Sequence, residues 1–429
     1  VKSLGVFSHD EANRYFAAAL ALYEKDPGCA SDAAFAEFLG NYALCANISL
    51  DVMTMIGLAP RVRPILDRIG DSGDHVLFLH HYVSCLICNS RFLDAERVQR
   101  ELTAMAERLG DPKSRAYAMV NELSVAVYRA ALPNDAFDAR KAQIEAALSQ
   151  FEDAYLRNFF LATIGWDELT RGRVNGARDS AERMVALGET NNDPRALGYG
   201  TAMMALVAVV TDDHARALEL SEEARRLSRA EFEIAIAEAS RVAALIPLER
   251  PGAMAEAKDY ISRREADGCT LFAGVPQPML GVGLALEGRI GEGLQKIEDT
   301  IARRVAEGAV NAADWNRLLL SEVYLQILSA EGGVPMAVLL RNFRALAGVM
   351  LSGEKRIRAL IATVRKNSYF DADGHYFARG EMILGLLCKL KKRKAEAVAH
   401  LTAARQLIAP TGASPMLARV DAALAELSA

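Results

Sequence analysis

Three residues with metal-binding chemistry share one face of a helical run. His81, Cys85 and Cys88 are spaced i, i+4, i+7 and would offer an imidazole and two thiolates to zinc. Their neighbours argue otherwise. Val83, Leu86 and Ile87 interleave with the cysteines, a setting in which cysteine packs as a small hydrophobe, and structural zinc sites usually draw ligands from two segments of chain. The reading is a pair of core thiols, with no metal and no cofactor.

Gly348-Val349-Met350-Leu351-Ser352-Gly353-Glu354-Lys355 has the outline of a phosphate loop. Glu354 stands before the lysine, no Ser or Thr follows it, and no strand precedes it, so the motif lacks its magnesium-binding hydroxyl and its scaffold. Gly281-Val282-Gly283 lacks the third glycine and the strand of a dinucleotide fingerprint; close helix packing accounts for it better. The one local basic concentration is Arg356, Arg358, Arg365 and Lys366, with His375 and Arg379. It is the candidate docking site for an acidic partner surface or a phosphate, set against the simpler reading of a solvated helix face. Lys389, Lys391, Lys392, Arg393 and Lys394 read as a solubilising turn between helices. The histidines are scattered, and neither G-x-S-x-G nor H-E-x-x-H occurs. No acid, base or nucleophile set can be named, so the chain reads as non-enzymatic.

The elements that carry these residues follow a repeat. Ala177, Ala217 and Ala257 recur at equal spacing, each early in an amphipathic run, which marks a helical array whose hairpins bury their apolar stripes only by stacking. The spacing predicts helix pairs over 33–50 and 55–69, 74–90 and 93–109, 113–131 and 135–150, 153–171 and 174–187, 194–211 and 213–228, 231–246 and 252–266, and 277–288 and 291–307. A helix from a Ser8 N-cap to Lys25 precedes them. Gly110-Asp111-Pro112, Leu132-Pro133-Asn134-Asp135, Asn192-Asp193-Pro194 and Arg250-Pro251-Gly252 break the helices with turn formers and caps.

Small residues at Gly165, Gly172 and Ala177, at Ala205, Ala208, Ala217 and Ala224, at Gly281, Gly288 and Gly293, and at Gly385, Ala397 and Ala404 fit the tetratricopeptide (TPR) pattern. There a Cβ branch would push two helices apart. The rhythm breaks between Ala312 and Ala378. Trp315–Leu328 is one helix, stopped by Gly332-Gly333-Val334-Pro335. Met336–Val364 is one long helix or two joined near Ser352-Gly353, and Tyr369–His375 is a turn rich in aromatics and acids. Helices at 376–390 and 394–408 resume the pattern, and Pro415–Leu427 caps the open end. The expected fold is all-α: a TPR-like α-α superhelix of about eight to nine degenerate helix pairs, with repeats over 1–311, an irregular helical insertion over 312–378, and the last repeat and cap over 379–429, all in one solenoid domain.

Composition fits. The chain of 429 residues is 51% apolar and 24% charged, with a net charge of −5 and its basic residues interspersed with acidic ones. No basic stripe suits nucleic-acid phosphates. The longest apolar stretch, Ala202 to Val210, is short of the roughly 20 residues a membrane helix needs, and no signal peptide opens the chain; a cytoplasmic protein is expected. The six cysteines lack the spacing of a disulfide framework and read as reduced core thiols. Val1 in place of a methionine fits a piece of something longer.

Several runs are more specific than the repeat: Met279-Leu280-Gly281-Val282-Gly283-Leu284-Ala285-Leu286-Glu287-Gly288-Arg289, Ile357-Arg358-Ala359-Leu360-Ile361, Gly374-His375, Arg379-Gly380-Glu381-Met382-Ile383-Leu384-Gly385-Leu386-Leu387, and Ser414-Pro415-Met416-Leu417-Ala418-Arg419. From about residue 270 onward the chain resembles the C-terminal region of certain bacterial class III adenylate/guanylate cyclases. Those proteins join a cyclase domain, an AAA- or STAND-type ATPase domain and a helical-repeat tail. The paired metal-binding aspartates of the cyclase and the phosphate loop of the ATPase are absent, so no functional residue carries over. The resemblance implies a sensory or regulatory tail. Its expected partners are a protein or peptide segment, including the ATPase and cyclase domains of the same parent chain, or a small effector, held in a concave groove lined by first-helix faces. The alternative is the effector-sensing TPR region of an ATPase-containing transcriptional activator.

Overall fold

The computed structural model describes residues 9–329, 336–412 and 415–428. Ser8 and the run Gly332-Gly333-Val334-Pro335 lie outside the described residues, as does Ser414. Among the described residues every regular element is helical. α1 (His9–Lys25) leads into α2 (Asp32–Ile48) and α3 (Val52–Ile69), α4 (Gly73–Cys88) and α5 (Phe92–Leu109), α6 (Pro112–Arg129) and α7 (Asn134–Leu148), α8 (Ala154–Arg171) and α9 (Val174–Asn191), α10 (Pro194–Val210) and α11 (His214–Leu227), and α12 (Glu231–Leu245) and α13 (Ala253–Ala266). The short α14 (Thr270–Ala273) precedes α15 (Gln277–Leu286) and α16 (Ile290–Ala306). Then come α17 (Val310–Ser329), α18 (Met336–Arg341), α19 (Phe343–Val364), α20 (His375–Leu390), α21 (Lys394–Ile408) and α22 (Pro415–Ser428).

One turn geometry recurs inside the pairs. Leu50, Ser90, Ala130, Gly172, Asp212, Glu249, Gly288 and Lys392 all adopt left-handed backbone, with φ between 49° and 85°, and each joins the first helix of a pair to the second. Between pairs, the caps work as their sequence implies. Gly110 closes α5 in the left-handed region, and Asp111 accepts from the Ser114 amide at 2.9 Å ahead of Pro112. Asn192, Asp193 and Pro194 repeat the arrangement.

The recurring small residues sit where helices touch. Ala177, Ala217 and Ala257 are fully buried, near the start of α9, α11 and α13. Gly281 and Gly293 do the same for α15 against α16: a Cβ on Gly293 would stand 2.4 Å from the Gly281 carbonyl oxygen. Gly293→Ala is therefore expected to destabilise the fold by about 1–3 kcal/mol through overpacking; an unchanged urea midpoint would show that the two helices are not so close.

Two local expectations are corrected. Ser352-Gly353 is no joint, because α19 runs unbroken through it and Gly353 lets Leu328 of α17 approach, a Cβ there meeting Leu328 Cδ1 at 3.2 Å. The break falls at Asn342, whose side chain accepts from the Gly291 amide at 3.1 Å and donates to the Gly288 and Val338 carbonyls at 2.8 Å each. Cys29 is no core thiol: it ends a short 3-10 turn, Pro27–Cys29, and is exposed, while the other five cysteines are buried. At the chain's end α22 covers α21, burying Met416, Val420 and Ala423.

The larger correction concerns the groove. Successive hairpins stack on one another in chain order, but the superhelix returns on itself and its second course sits on the turns of the first, so the expected groove is not an open face. Asn89 donates to the Gly268 carbonyl at 2.6 Å, and Thr270 bonds Ser90 at 2.9 Å. Asn311 donates to the Val127 carbonyl at 3.0 Å. The Asp371 and His375 amides donate to the carbonyls of Arg171 and Gly172 at 2.9 and 2.8 Å, satisfying the end of α8, and Asn175 donates to the Pro410 carbonyl at 3.0 Å. Contacts so distant in sequence are invisible to local periodicity.

Candidate functional site

The basic cluster does not form one surface. Arg356 donates to the Tyr324 hydroxyl at 2.8 Å and lies 3.5 Å from Glu298. Arg358 bonds Glu354 at 3.1 Å and approaches Glu396, and Arg365 pairs with Glu381. Lys366 is exposed. His375 and Arg379 point inward instead: His375 Nε2 donates to the Val210 carbonyl at 2.9 Å, and Arg379 reaches the same carbonyl at 3.3 Å, Asp212 at 3.1 Å and Glu322. These two residues are 2% and 6% exposed and bind the second course to the first, so they are withdrawn as docking residues. Salt bridges on a solvated face add little, and the carboxylates around Arg356, Arg358 and Arg365 leave no broad positive patch.

His81, Cys85 and Cys88 are all buried, and no cluster of metal-binding side chains occurs among the described residues. His81 Nδ1 lies 3.4 Å from both Asn47 Nδ2 and the Tyr155 hydroxyl. Burial pushes the Cys85 and Cys88 thiols far above their ordinary range, as expected of thiols packed among apolar side chains. Gly348–Lys355 lies wholly within α19, so this run is no phosphate loop.

A different site lies between the two courses, which together line a partly open cavity of about 130 Å³. The first course contributes Phe92, Tyr128 and Trp166; the second contributes Trp315, Tyr376 and Leu271. Both tryptophans of the chain thus line one cavity. Trp166 Nε1 donates to the Tyr199 hydroxyl at 3.0 Å, and Tyr128 stacks on Phe92 at 5.4 Å, which fixes the aromatic faces.

Besides Thr170, three polar residues interrupt this apolar lining. Arg304, at the end of α16, is 4% exposed; it donates to Glu307 at 2.8 Å, and its Nη2 lies over Gly274, 1.2 Å from where a Cβ would stand. Any side chain at 274 would displace the guanidinium. Burial pulls the Arg304 pKa below its ordinary value despite Glu307, the mark of a cation short of compensation. Asn311 and Asn316 on α17 are 6% and 2% exposed, and the Oδ1 of each meets no hydrogen-bond partner among the described residues. A buried amide oxygen without a donor is costly. Sequence reasoning passed over all five of these residues. Rarity was the sole available signal for the tryptophans, and nothing local separates Arg304 from the other last-turn arginines.

Paired antiparallel helices, the small residues at their contacts and the superhelical course define a TPR-like α-α superhelix. A crystal structure of a Rap protein complexed with competence and sporulation factor is similar in fold, with a TM-score of 0.52 at 12% identity, covering 83% of this chain and 98% of that one. No protein-family model and no curated protein sequence matches the chain.

Proposed function

We propose that this chain is a non-catalytic regulatory scaffold that holds a peptide or protein segment between its two courses, one anchor side chain of the partner filling the central cavity. The observation that carries this reading is the convergence of Trp166 and Trp315 from opposite courses on one apolar cavity in which the Oδ1 atoms of Asn311 and Asn316 have no hydrogen-bond partner among the described residues. Such a cavity, aromatic with a few convergent polar atoms, is how binding sites differ from packing defects. The fold likeness supports it, since the Rap protein of that structure is complexed with a factor. Buried, unbridged cysteines fit a reducing, cytoplasmic setting.

Selection of a random peptide library on the purified protein tests the reading. Selected peptides should bind saturably and lose about tenfold or more in affinity, roughly 1.4 kcal/mol, against Ala312→Trp, which fills the cavity. Peptides that bind the two proteins alike, or none above background, would overturn it.

The parent protein follows from the same reading. We infer that the chain is the regulatory tail of a class III adenylate/guanylate cyclase carrying an ATPase domain, on the strength of the runs at 279–289, 357–361 and 379–387. Determining the adjoining coding sequence tests this: a cyclase domain supports it, and a DNA-binding domain would replace it with the transcriptional-activator alternative.

A further inference from the structure

The cavity also carries information about the chemistry of its ligand, on the premise that it is a binding site at all. Its walls are apolar and aromatic, so the body of the ligand is apolar. Its volume of about 130 Å³ approaches that of an apolar cavity that holds a benzene-sized body, on the order of 150 Å³. The occupant is therefore the size of a single residue, with any remainder leaving through the open side.

The polar groups then set the head of the ligand. Arg304 shares its one carboxylate partner, since Glu307 also lies 3.9 Å from Arg303, and Glu307 is itself partly exposed. The bond to Glu307 uses Nη1, and Nη2 lies over Gly274 in the cavity lining. A buried guanidinium in this state calls for an anionic, planar acceptor, and a carboxylate matches its fork. Asn311 donates an amide hydrogen to the Val127 carbonyl, which turns Oδ1 to the role of acceptor, and the Oδ1 atoms of Asn311 and Asn316 are both unpaired among the described residues. An acceptor needs an N–H or O–H. The ligand must therefore carry a hydrogen-bond donor near its carboxylate.

We propose that the central cavity binds an N-acylated apolar α-amino acid, its carboxylate on Arg304, its amide N–H on the oxygen of Asn311 or Asn316, and its side chain among Trp166, Trp315 and Tyr128. Two sources share this chemistry: a free N-acyl amino acid, and the last residue of a peptide with a free C-terminus.

Both tryptophans of the chain line the site, so intrinsic fluorescence reports on it directly. The probes are N-acetyl-leucine and N-acetyl-phenylalanine, each beside its C-terminal amide, and tetrapeptides ending in the same residues with free or amidated C-termini. The acids should change the emission saturably, and the amides should bind at least about tenfold more weakly, the scale of one lost charge-assisted hydrogen bond. Arg304→Gln should erase that preference while retaining the helical circular dichroism, and Asn316→Leu should weaken both forms. Tighter binding by the free acids assigns the small-molecule source, and tighter binding by the peptides assigns the chain end. Equal binding of acid and amide, or no saturable response to any probe, would overturn the proposal. Peptides selected on the cavity that bind as amides would overturn it while leaving the scaffold function standing, because the ligand-side comparison does not depend on any variant folding.

Discussion

Arg171→Ala is expected to remove about 3–5 kcal/mol of stability, the scale of a buried ion pair broken from one side and a large part of the roughly 5–15 kcal/mol that holds a domain folded. Arg171 is 1% exposed. Its Nε donates to Asp167 at 2.5 Å, its Nη1 to Asn134 at 2.9 Å and its Nη2 to the Leu132 carbonyl at 2.9 Å. The guanidinium lies between the rings of Phe137 and Tyr369, at 4.6 and 4.1 Å from their centres. Alanine would leave a cavity, two acceptors without donors, and Asp167 with only Tyr369 and no cation in contact. Burial already pushes the Asp167 carboxyl above the usual range, with Arg171 and Tyr369 pulling the other way, so the orphaned acid would take up a proton.

The same residue joins the two superhelical courses, since Tyr369 and the Asp371 amide belong to the loop after α19. Urea unfolding measures the loss. Hydrogen exchange at Asp371 and His375 localises it, because their amides bond to the end of α8. Adding Asp167→Asn to Arg171→Ala should restore part of the loss by removing the cost of neutralising the orphaned acid. A single variant within about 1 kcal/mol of the parent, the range of an exposed pair, would show that this junction is not structural.

Acid should unfold the protein well above the range where carboxylates titrate. His80 is fully buried beside Asn121 and Tyr155, and burial lowers its pKa to about 3; His375 is lowered to about 4, chiefly by burial and then by Arg379. His81 lies well below its ordinary value for the same reason, with His80 and Arg195 adding to it, and His75 and His214 are lowered too. In the unfolded chain each imidazole takes a proton near 6.5, so between that value and the folded pKa the unfolded state binds more protons. Stability is then complete above about pH 7 and falls with acidification, by about 2 kcal/mol at pH 5 for each deeply lowered histidine. Three such groups give roughly 6 kcal/mol.

The buried carboxylates act in the opposite sense at lower pH. Burial raises Asp167, Glu168, Glu233 and Asp314, so the folded state takes their protons first and regains some stability as the pH drops toward 4. The steepest loss therefore falls between pH 6.5 and 5. Urea midpoints at pH 7 and pH 5 test this, and His80→Asn with His375→Gln should flatten the dependence. A midpoint unchanged across that interval would contradict the buried neutral histidines.

The helices were legible because their signals are local. The fully buried Ala177, Ala217 and Ala257 mark a period that any stacked hairpin must keep, and Gly110-Asp111-Pro112 states where one pair ends and the next begins. The docking cluster was misjudged at His375 and Arg379 for the complementary reason. Their residue types are visible in the chain, but the Val210 carbonyl, Asp212 and Glu322 that engage them are brought in from distant parts of the sequence.

What the amino-acid sequence determined alone is therefore the all-helical class, the pairing of neighbours and the close contacts through small residues, since periodicity, caps and missing Cβ atoms act within a few turns of helix. Only the tertiary structure decided that the second course lies on the first, that the groove closes to a cavity, and that Trp166, Arg304 and Trp315 share its wall. Small rotations between successive hairpins add up along a superhelix. Whether it returns onto itself depends on that sum, and no short stretch of sequence contains it.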